Sequence, residues 1–345
     1  MPKTLLVLLL ALAAWCAAFA GESYAFLFVS DTHFGPEKSF YTGPEKSHRT
    51  KKDPKRADQA MPLYEKLFAE MAKEPDVKFL VHAGDMIEGN ARDEATHRKV
   101  LTDAINFHKR FFGFPLYFVK GNHEAKGLGG EEAYRAVLLP VISETAGKKL
   151  DAANYAVNYG DDLFVCVEYD SPDWFKFLKL TLEKQKTRPR YTFFVIHLNL
   201  IPFVGRNMPE ACELLSRYNG IILCGHSHRT MLLKYAKDGG YVAQLTVSTL
   251  LAPAEKKNRV RRFDTDLAAF EAIFRQRRLK TPEQNERFDR LWKPYLTEYR
   301  EAPGAAGYMK VLVSDAGVKA VFHPAAPDAK PVTFVLRGKE NGGDE

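Results

Sequence analysis

Cysteine is scarce in this chain, with only four among 345 residues. No two of them form a Cys-x-x-Cys pair, which excludes a zinc ribbon and a thioredoxin-like redox site. Cys16 lies in the amino-terminal segment, and the other three cysteines, Cys166, Cys212 and Cys224, are odd in number and far apart in sequence. Cys166 and Cys224 lie in strand-like apolar runs. We therefore expect buried structural thiols rather than a disulfide framework, with one disulfide as the alternative in an oxidising compartment.

Several catalytic motifs are absent as well. The chain has no glycine-rich phosphate loop and no Gly-x-Ser-x-Gly nucleophile elbow, so neither nucleotide-driven motor chemistry nor serine-based hydrolysis has support. We detect no internal repeat and no low-complexity segment, which excludes a solenoid and wholesale disorder. The 46% hydrophobic and 27% charged residues are instead typical of a folded globular protein.

Long apolar runs are confined to the amino terminus. Lys3 precedes an unbroken apolar run, and residues 18–20 (Ala-Phe-Ala) form a small-x-small cleavage signal. We expect residues 1–20 to be a secretory signal peptide, the mature protein to be periplasmic or secreted, and no stable membrane span to remain. An uncleaved anchor and acylation of Cys16 are the alternatives, and the bulky Trp15 disfavours acylation.

The formal charge of +7 is basic but unspecific. It suits an anionic substrate, a negatively charged cell envelope or nucleic acid. Two segments depart from the pattern of the rest: a lysine-rich loop at 35–55, expected to line or overhang the site, and a charge-dense helical insertion at about 254–303. Residues 339–345 predict a disordered tail, so a single domain over 21–338 is expected.

Strand and helix patterns alternate along the chain. Short apolar runs rich in β-branched and aromatic residues predict buried strands at 24–29, 77–82, 116–119, 191–196 and 221–224. Apolar residues at helical spacing predict helices at 58–73, 94–112, 131–145, 172–186 and 209–218. Hairpins are expected at 154–169, 231–247 and 309–322. This alternation indicates a layered α/β architecture.

Ligand-type side chains follow directly after five of these strands. Because binding sites of α/β sheets are built from loops at strand ends, we expect these side chains to converge. They comprise two carboxylates, one amide and four imidazoles: Asp31, His33, Asp85, Asn122, His197, His226 and His228.

This ligand set predicts a site for two metal ions. Spacing by two residues puts Asp31 with His33, and His226 with His228, on one side of an extended segment. Seven ligands are more than one zinc-like ion takes from a protein, and they suit two ions that share a carboxylate. Two divalent ions outweigh the charge of two carboxylates, so the site stays positive, as binding of a phosphate ester requires.

The same segments resemble the calcineurin-like metallophosphoesterases, whose pattern is DxH, GD, GNH[DE], H and GHxH. All five elements are present in order between residues 31 and 228. The resemblance implies a four-layer α/β/β/α sandwich with two central mixed sheets flanked by helices. It also implies a dinuclear hydrolase of phosphomonoesters or phosphodiesters that uses iron, manganese or zinc and acts on a small phosphate-ester substrate.

The resemblance assigns roles to individual residues. Asp31, His33 and His228 would hold the first metal, Asn122, His197 and His226 the second, and Asp85 would bridge the two. A metal-bridging hydroxide would attack phosphorus in line. His123 would be the general acid that protonates the leaving oxygen, and Glu124 would orient His123.

Departures from related groups narrow this reading. Purple acid phosphatases carry a tyrosine ligand three residues after the bridging Asp, where this chain has Glu88. The chain is too short for the large C-terminal substrate domain of secreted 5′-nucleotidases, so it most resembles compact exported bacterial members. A nuclease acting on DNA or RNA and a non-catalytic metal-binding envelope module are the alternatives, and the export signal disfavours nucleic acid as a partner.

Overall fold

A computed structural model describes residues 22–35, 54–203, 205, 207–250, 266–302, 306–326 and 328–338. The expected signal peptide at 1–20, nearly all of the basic loop at 35–55, the first part of the insertion and the tail at 339–345 lie outside these residues. Their expected roles stay predictions.

Thirteen strands and seven helices occur in the described residues. The strands are β1 (Tyr24–Val29), β2 (Val77–His82), β3 (Leu116–Phe118), β4 (Tyr155–Tyr159), β5 (Asp162–Cys166), β6 (Thr192–Val195), β7 (Gly220–Cys224), β8 (Met231–Lys237), β9 (Gly240–Thr246), β10 (Leu296–Glu301), β11 (Gly307–Ser314), β12 (Gly317–Pro324) and β13 (Val332–Arg337). The helices are α1 (Pro54–Met71), α2 (Glu94–Phe111), α3 (Gly130–Thr145), α4 (Trp174–Glu183), α5 (Met208–Ser216), α6 (Leu267–Arg278) and α7 (Pro282–Leu291).

The strands form two mixed sheets. The first has the order β13-β12-β11-β1-β2-β3, and the second has the order β10-β8-β9-β7-β6-β5-β4. In the first sheet β1, β2 and β3 are parallel, and in the second β5, β6, β7 and β9 are parallel. The loops that leave the carboxyl ends of these parallel strands therefore collect at one edge of each sheet.

The two sheets face each other across an aromatic core. Phe26 and Phe79 of the first sheet meet Phe164 of the second at ring-centroid distances of 5.6 and 5.2 Å, and Phe26 meets Phe193 at 5.4 Å. Helices α1, α2 and α3 cover the outer face of the first sheet, and α4 to α7 cover that of the second. This arrangement confirms the predicted four-layer sandwich.

The predicted elements are largely present, with one wrong assignment. All five strands, all five helices and the three hairpins occur within a few residues of their expected bounds. The final part of the insertion is not helical, because residues 296–301 form β10, which pairs antiparallel with β8. The three cysteines are buried and free, which confirms the structural reading. None of the described helices combines the length and apolarity needed to cross a membrane.

Candidate metal centre

Eight polar side chains meet where the loops after β1, β2, β3, β6 and β7 converge. They are the seven expected ligands together with His123: Asp31, His33, Asp85, Asn122, His123, His197, His226 and His228. Asp31 is completely buried, whereas His226 is exposed, so the cluster runs from the interior to the surface. Two sheets contribute to this site, and it lies between their facing edges.

An unusual backbone conformation directs these side chains. Asp31, His33, Asp85, His226 and His228 all have positive φ values, between 46° and 65°. Residues other than glycine rarely adopt this left-handed conformation, and finding five of them at one site indicates a functional constraint. The expectation that the paired ligands lie on an extended segment is therefore wrong, although the pairs do converge. Left-handed turns, rather than the alternation of a strand, bring them together.

The first group of ligands consists of Asp31, His33 and His228. Asp31 Oδ1 lies 3.1 Å from His228 Nε2 and 3.7 Å from His33 Nε2, and the two imidazole nitrogens are 3.1 Å apart. His33 Nδ1 faces Glu88 Oε2 at 3.1 Å. The Glu88 carboxylate favours a proton on His33 Nδ1. In a neutral His33 ring, Nε2 then has a free lone pair, and this lone pair faces Asp31 and His228.

The second group consists of Asp85, Asn122, His197 and His226. His197 Nδ1 lies 2.7 Å from the Ala83 carbonyl oxygen, which only accepts, so this nitrogen carries the proton. The Nε2 of a neutral His197 then faces Asp85 Oδ2 at 3.2 Å and Asn122 Oδ1 at 3.1 Å. His226 Nδ1 completes the group, 2.9 Å from Asn122 Oδ1.

These contacts fit bound cations. In the second group, His197 Nε2 and the oxygens of Asp85 and Asn122 converge, and a positive charge between them, from a proton or a metal ion, stabilises this arrangement. Within each of two sets of three residues, the donor atoms lie within 4.8 Å of one another: Asp31, His33 and His228 in one set, and Asp85, His197 and His226 in the other. Asp85 Oδ2 is also 3.9 Å from His33 Nε2, so it stands between the two groups, where a shared ligand belongs.

Electrostatics lead to the same conclusion. Burial opposes the protonation of His33, but contacts with Asp31 and Glu88 and the charge of Asp85 outweigh it and raise its pKa to about 10. Burial likewise opposes protonation of His197, and the contact with Asp85 raises its pKa to about 9. The pKa of Asp85 is lowered to about 2, because the contact with His197 outweighs the effect of burial. The carboxylates thus attract positive charge at neutral pH.

The ring of His123 is held by Glu88 rather than by the expected Glu124. Its Nδ1 donates to the Glu88 carbonyl oxygen at 2.5 Å, and its Nε2 lies 3.9 Å from Asp85 Oδ2. The expected contact with Glu124 is therefore wrong, and Glu88 orients this imidazole through its backbone. Burial, with a smaller effect of the nearby His33, lowers the pKa of His123 to about 4.

Glu124 instead holds the loops that carry the ligands. It is fully buried, and its carboxylate accepts from the backbone N–H groups of Asp85 at 2.9 Å, Met86 at 2.5 Å and Gly121 at 2.6 Å. It thereby ties the loop after β2 to the loop after β3. Burial and the charge of Asp85 raise its pKa to about 7. Its side chain is a positioning group, not a contact of the His123 ring.

Other positioning residues carried no strong signal in the sequence. His82 accepts from Gly84 N at 3.2 Å, and its Nε2 lies 3.2 Å from Thr32 Oγ1, so it links the loops after β1 and β2 without joining the ligand set. Arg229 follows His228 directly and donates to Glu301 at 2.6 Å. The Arg229 contact depends on β10, a strand that the charge-dense composition of its segment concealed.

Comparison with known proteins finds a matching family model and a shared fold. A sequence model of the calcineurin-like phosphoesterase family matches residues 24–230. No curated protein is significantly similar to the chain. Among solved structures it is similar to GAP50, described as the anchor in the inner membrane complex of Plasmodium, with a TM-score of 0.53, 12% identity, and coverage of 93% of this chain and 90% of that one.

Two other solved structures match with lower scores. Vacuolar protein sorting 29 from Cryptosporidium parvum is 11% identical, with a TM-score of 0.37 and coverage of 90% of this chain and 96% of that one. A predicted phosphoesterase from Streptococcus pneumoniae is 10% identical, with a TM-score of 0.33 and coverage of 91% and 98%. The likeness to GAP50 shows a shared fold.

Proposed function

Because the chain belongs to the calcineurin-like phosphoesterase family, we propose that it hydrolyses phosphate monoesters or diesters with the help of two metal ions. The observation that carries this proposal is the convergence of nitrogen and oxygen donor atoms around Asp85. Five residues held in left-handed conformations at one place indicate a functional constraint on these donors.

In this proposal each donor group would hold one ion. Asp31, His33 and His228 would hold the first, Asn122, His197 and His226 would hold the second, and Asp85 would be shared by both. This nitrogen and oxygen set suits iron, manganese or zinc. When bound, two such ions supply an activated water nucleophile and positive charge for the phosphate oxygens.

We assign proton transfer to His123. Its Nδ1 proton is committed to the Glu88 carbonyl, so Nε2 is the atom that faces the reacting group. Nε2 is unprotonated in the free protein at neutral pH, because burial lowers the pKa of the ring to about 4. A phosphate anion next to Nε2 favours its protonation, and the protonated ring then donates to the leaving oxygen.

Substitution His123→Ala tests this role with two substrates. An alkyl phosphate leaves as a strongly basic oxygen, and for it we expect a loss of about 10²–10⁴-fold in kcat. A nitrophenyl phosphate leaves as a weakly basic oxygen that needs little protonation, so its rate should fall much less. Both ions should remain bound. Equal losses on the two esters, or loss of an ion, would refute the assignment.

Two other outcomes are distinguishable. A metal-loaded protein that hydrolyses no ester of a broad panel would favour a metal-binding envelope module. DNA binding with a steep dependence on salt, together with cleavage of DNA, would favour a nuclease. We also propose that the mature protein is periplasmic or secreted, and amino-terminal sequencing of the natural protein tests this, because processing should follow Ala20.

A further inference from the structure

A tyrosine outside the ligand set lies beside the second group of ligands. Tyr169 belongs to the loop between β5 and α4, and its ring centroid is 6.2 Å from that of His197, at an interplanar angle of 67°. The residue is only partly buried. Its ring therefore lies next to one of the residues that would hold the second ion.

The loop that carries Tyr169 is fixed on both sides of it. Lys120, whose side chain is 5% exposed, donates to Asp170 Oδ2 at 3.1 Å. Asn154 accepts from Glu168 N at 2.9 Å and donates to Ser171 Oγ at 2.9 Å. The residues before and after Tyr169 are thus tied to neighbouring elements, and its ring position is preorganised.

Lys120 also connects this loop to the metal centre. It is the last residue before Gly121 and Asn122, so the contact with Asp170 joins the Asn122 loop to the Tyr169 loop. A buried lysine is costly to desolvate, and here two carboxylates, those of Asp170 and Glu131, compensate it. The structure therefore maintains a fixed distance between Tyr169 and the second group of ligands.

The Tyr169 hydroxyl makes no hydrogen bond to any residue that the structure describes. A neutral phenol hydroxyl is a hydrogen-bond donor, so this group can donate to an anionic ligand.

We propose that the Tyr169 hydroxyl donates a hydrogen bond to a phosphate oxygen of the ester bound beside Asn122, His197 and His226. This inference rests on the proposed function, and it adds a substrate contact that the five family motifs do not include. The hydroxyl would bind the phosphate group common to substrate and product, rather than the organic part that distinguishes one ester from another.

Substitution Tyr169→Phe tests the contact, because it removes the hydroxyl and keeps the ring. The probe is inorganic phosphate, titrated calorimetrically into the metal-loaded protein. A hydrogen bond to a charged group corresponds to a loss of about 10–100-fold in phosphate affinity. The metal content should not change. Tyr159→Phe is the matched control, because this partly buried tyrosine lies at the other end of the β4–β5 hairpin and should bind phosphate like the unsubstituted protein.

The outcomes separate this inference from the proposed function. If the protein binds phosphate but hydrolyses no ester, the proposed function fails, and the phosphate titration still decides the role of Tyr169. Phosphate affinity of Tyr169→Phe within about two-fold of the control overturns the inference. It is also overturned if the variant loses an ion, since the hydroxyl would then act on the ligands, or if the metal-loaded protein binds no phosphate.

Discussion

Gly225 permits a close approach between the two sheets at the metal centre. It directly follows β7 and precedes His226, whose backbone N–H donates to Asp31 Oδ2 at 2.8 Å. A Cβ atom at position 225 would lie 2.7 Å from Ser30 Cβ and less than 3.0 Å from both Ser30 Oγ and Asp31 Oδ2. We therefore expect Gly225→Ala to displace the Asp31 carboxylate.

The size of the effect follows from these contacts. A separation of 2.7 Å is about 0.8 Å short of an ordinary carbon–carbon contact of about 3.5 Å. Ser30 cannot yield cheaply, because it is completely buried and its hydroxyl donates to the Ala83 and Gly84 carbonyls at 3.2 and 3.3 Å. Overpacking of this kind costs about 1–3 kcal/mol of unfolding free energy. Displacement of a ligand's support lowers metal affinity about 10–100-fold.

Metal content and denaturant unfolding measure the two effects separately. The matched control is Gly113→Ala, because a Cβ atom at that position meets nothing within 4 Å and the backbone φ is not in the left-handed range. We expect the control to keep two ions and its full unfolding free energy. If Gly225→Ala also retained both ions with unchanged affinity and stability, the close approach of β7 to Asp31 would be refuted.

Two further predictions concern stability. Glu301→Gln should lower the unfolding free energy by about 1–3 kcal/mol and reduce metal content at the first group, because it weakens the ion pair with Arg229, which follows His228. Glu298→Gln on the same strand is the control, and equal effects of the two substitutions would contradict a specific role of Glu301. Burial lowers the pKa of His108 from 6.5 to about 4. The contribution of the neutral His108 ring to the unfolding free energy is therefore complete above pH 6.5, and it decreases by up to about 3 kcal/mol as the pH falls towards 4. The unfolding free energy of metal-free His108→Gln should depend less on pH, and identical pH profiles would contradict this.

The strands and the ligand set could be predicted because both are local properties of the sequence. Each parallel strand is a short apolar run that ends in a polar motif, and the parallel order places those ends together. Asp31, Asp85 and His197 come shortly after their strands, and this position predicts them as ligands.

The remaining features depend on distant parts of the chain. β10 has a charged sequence that suggests a helix, and it becomes a strand because β8 offers a free edge for pairing. Glu124 was assigned to His123, its neighbour in sequence, yet its carboxylate binds backbone groups of the loop after β2. Tyr169 carries no motif at all, and only the folded loop places it near His197.

Elemental analysis of the purified protein, with hydrolysis of a phosphomonoester and a phosphodiester measured on the same sample, tests whether the donor groups around Asp85 hold two ions that ester hydrolysis requires. We expect two ions per chain, loss of hydrolysis on chelation, and its return when both ions are restored. A fully loaded protein with one ion, or hydrolysis that persists after both ions are removed, would refute the proposed function.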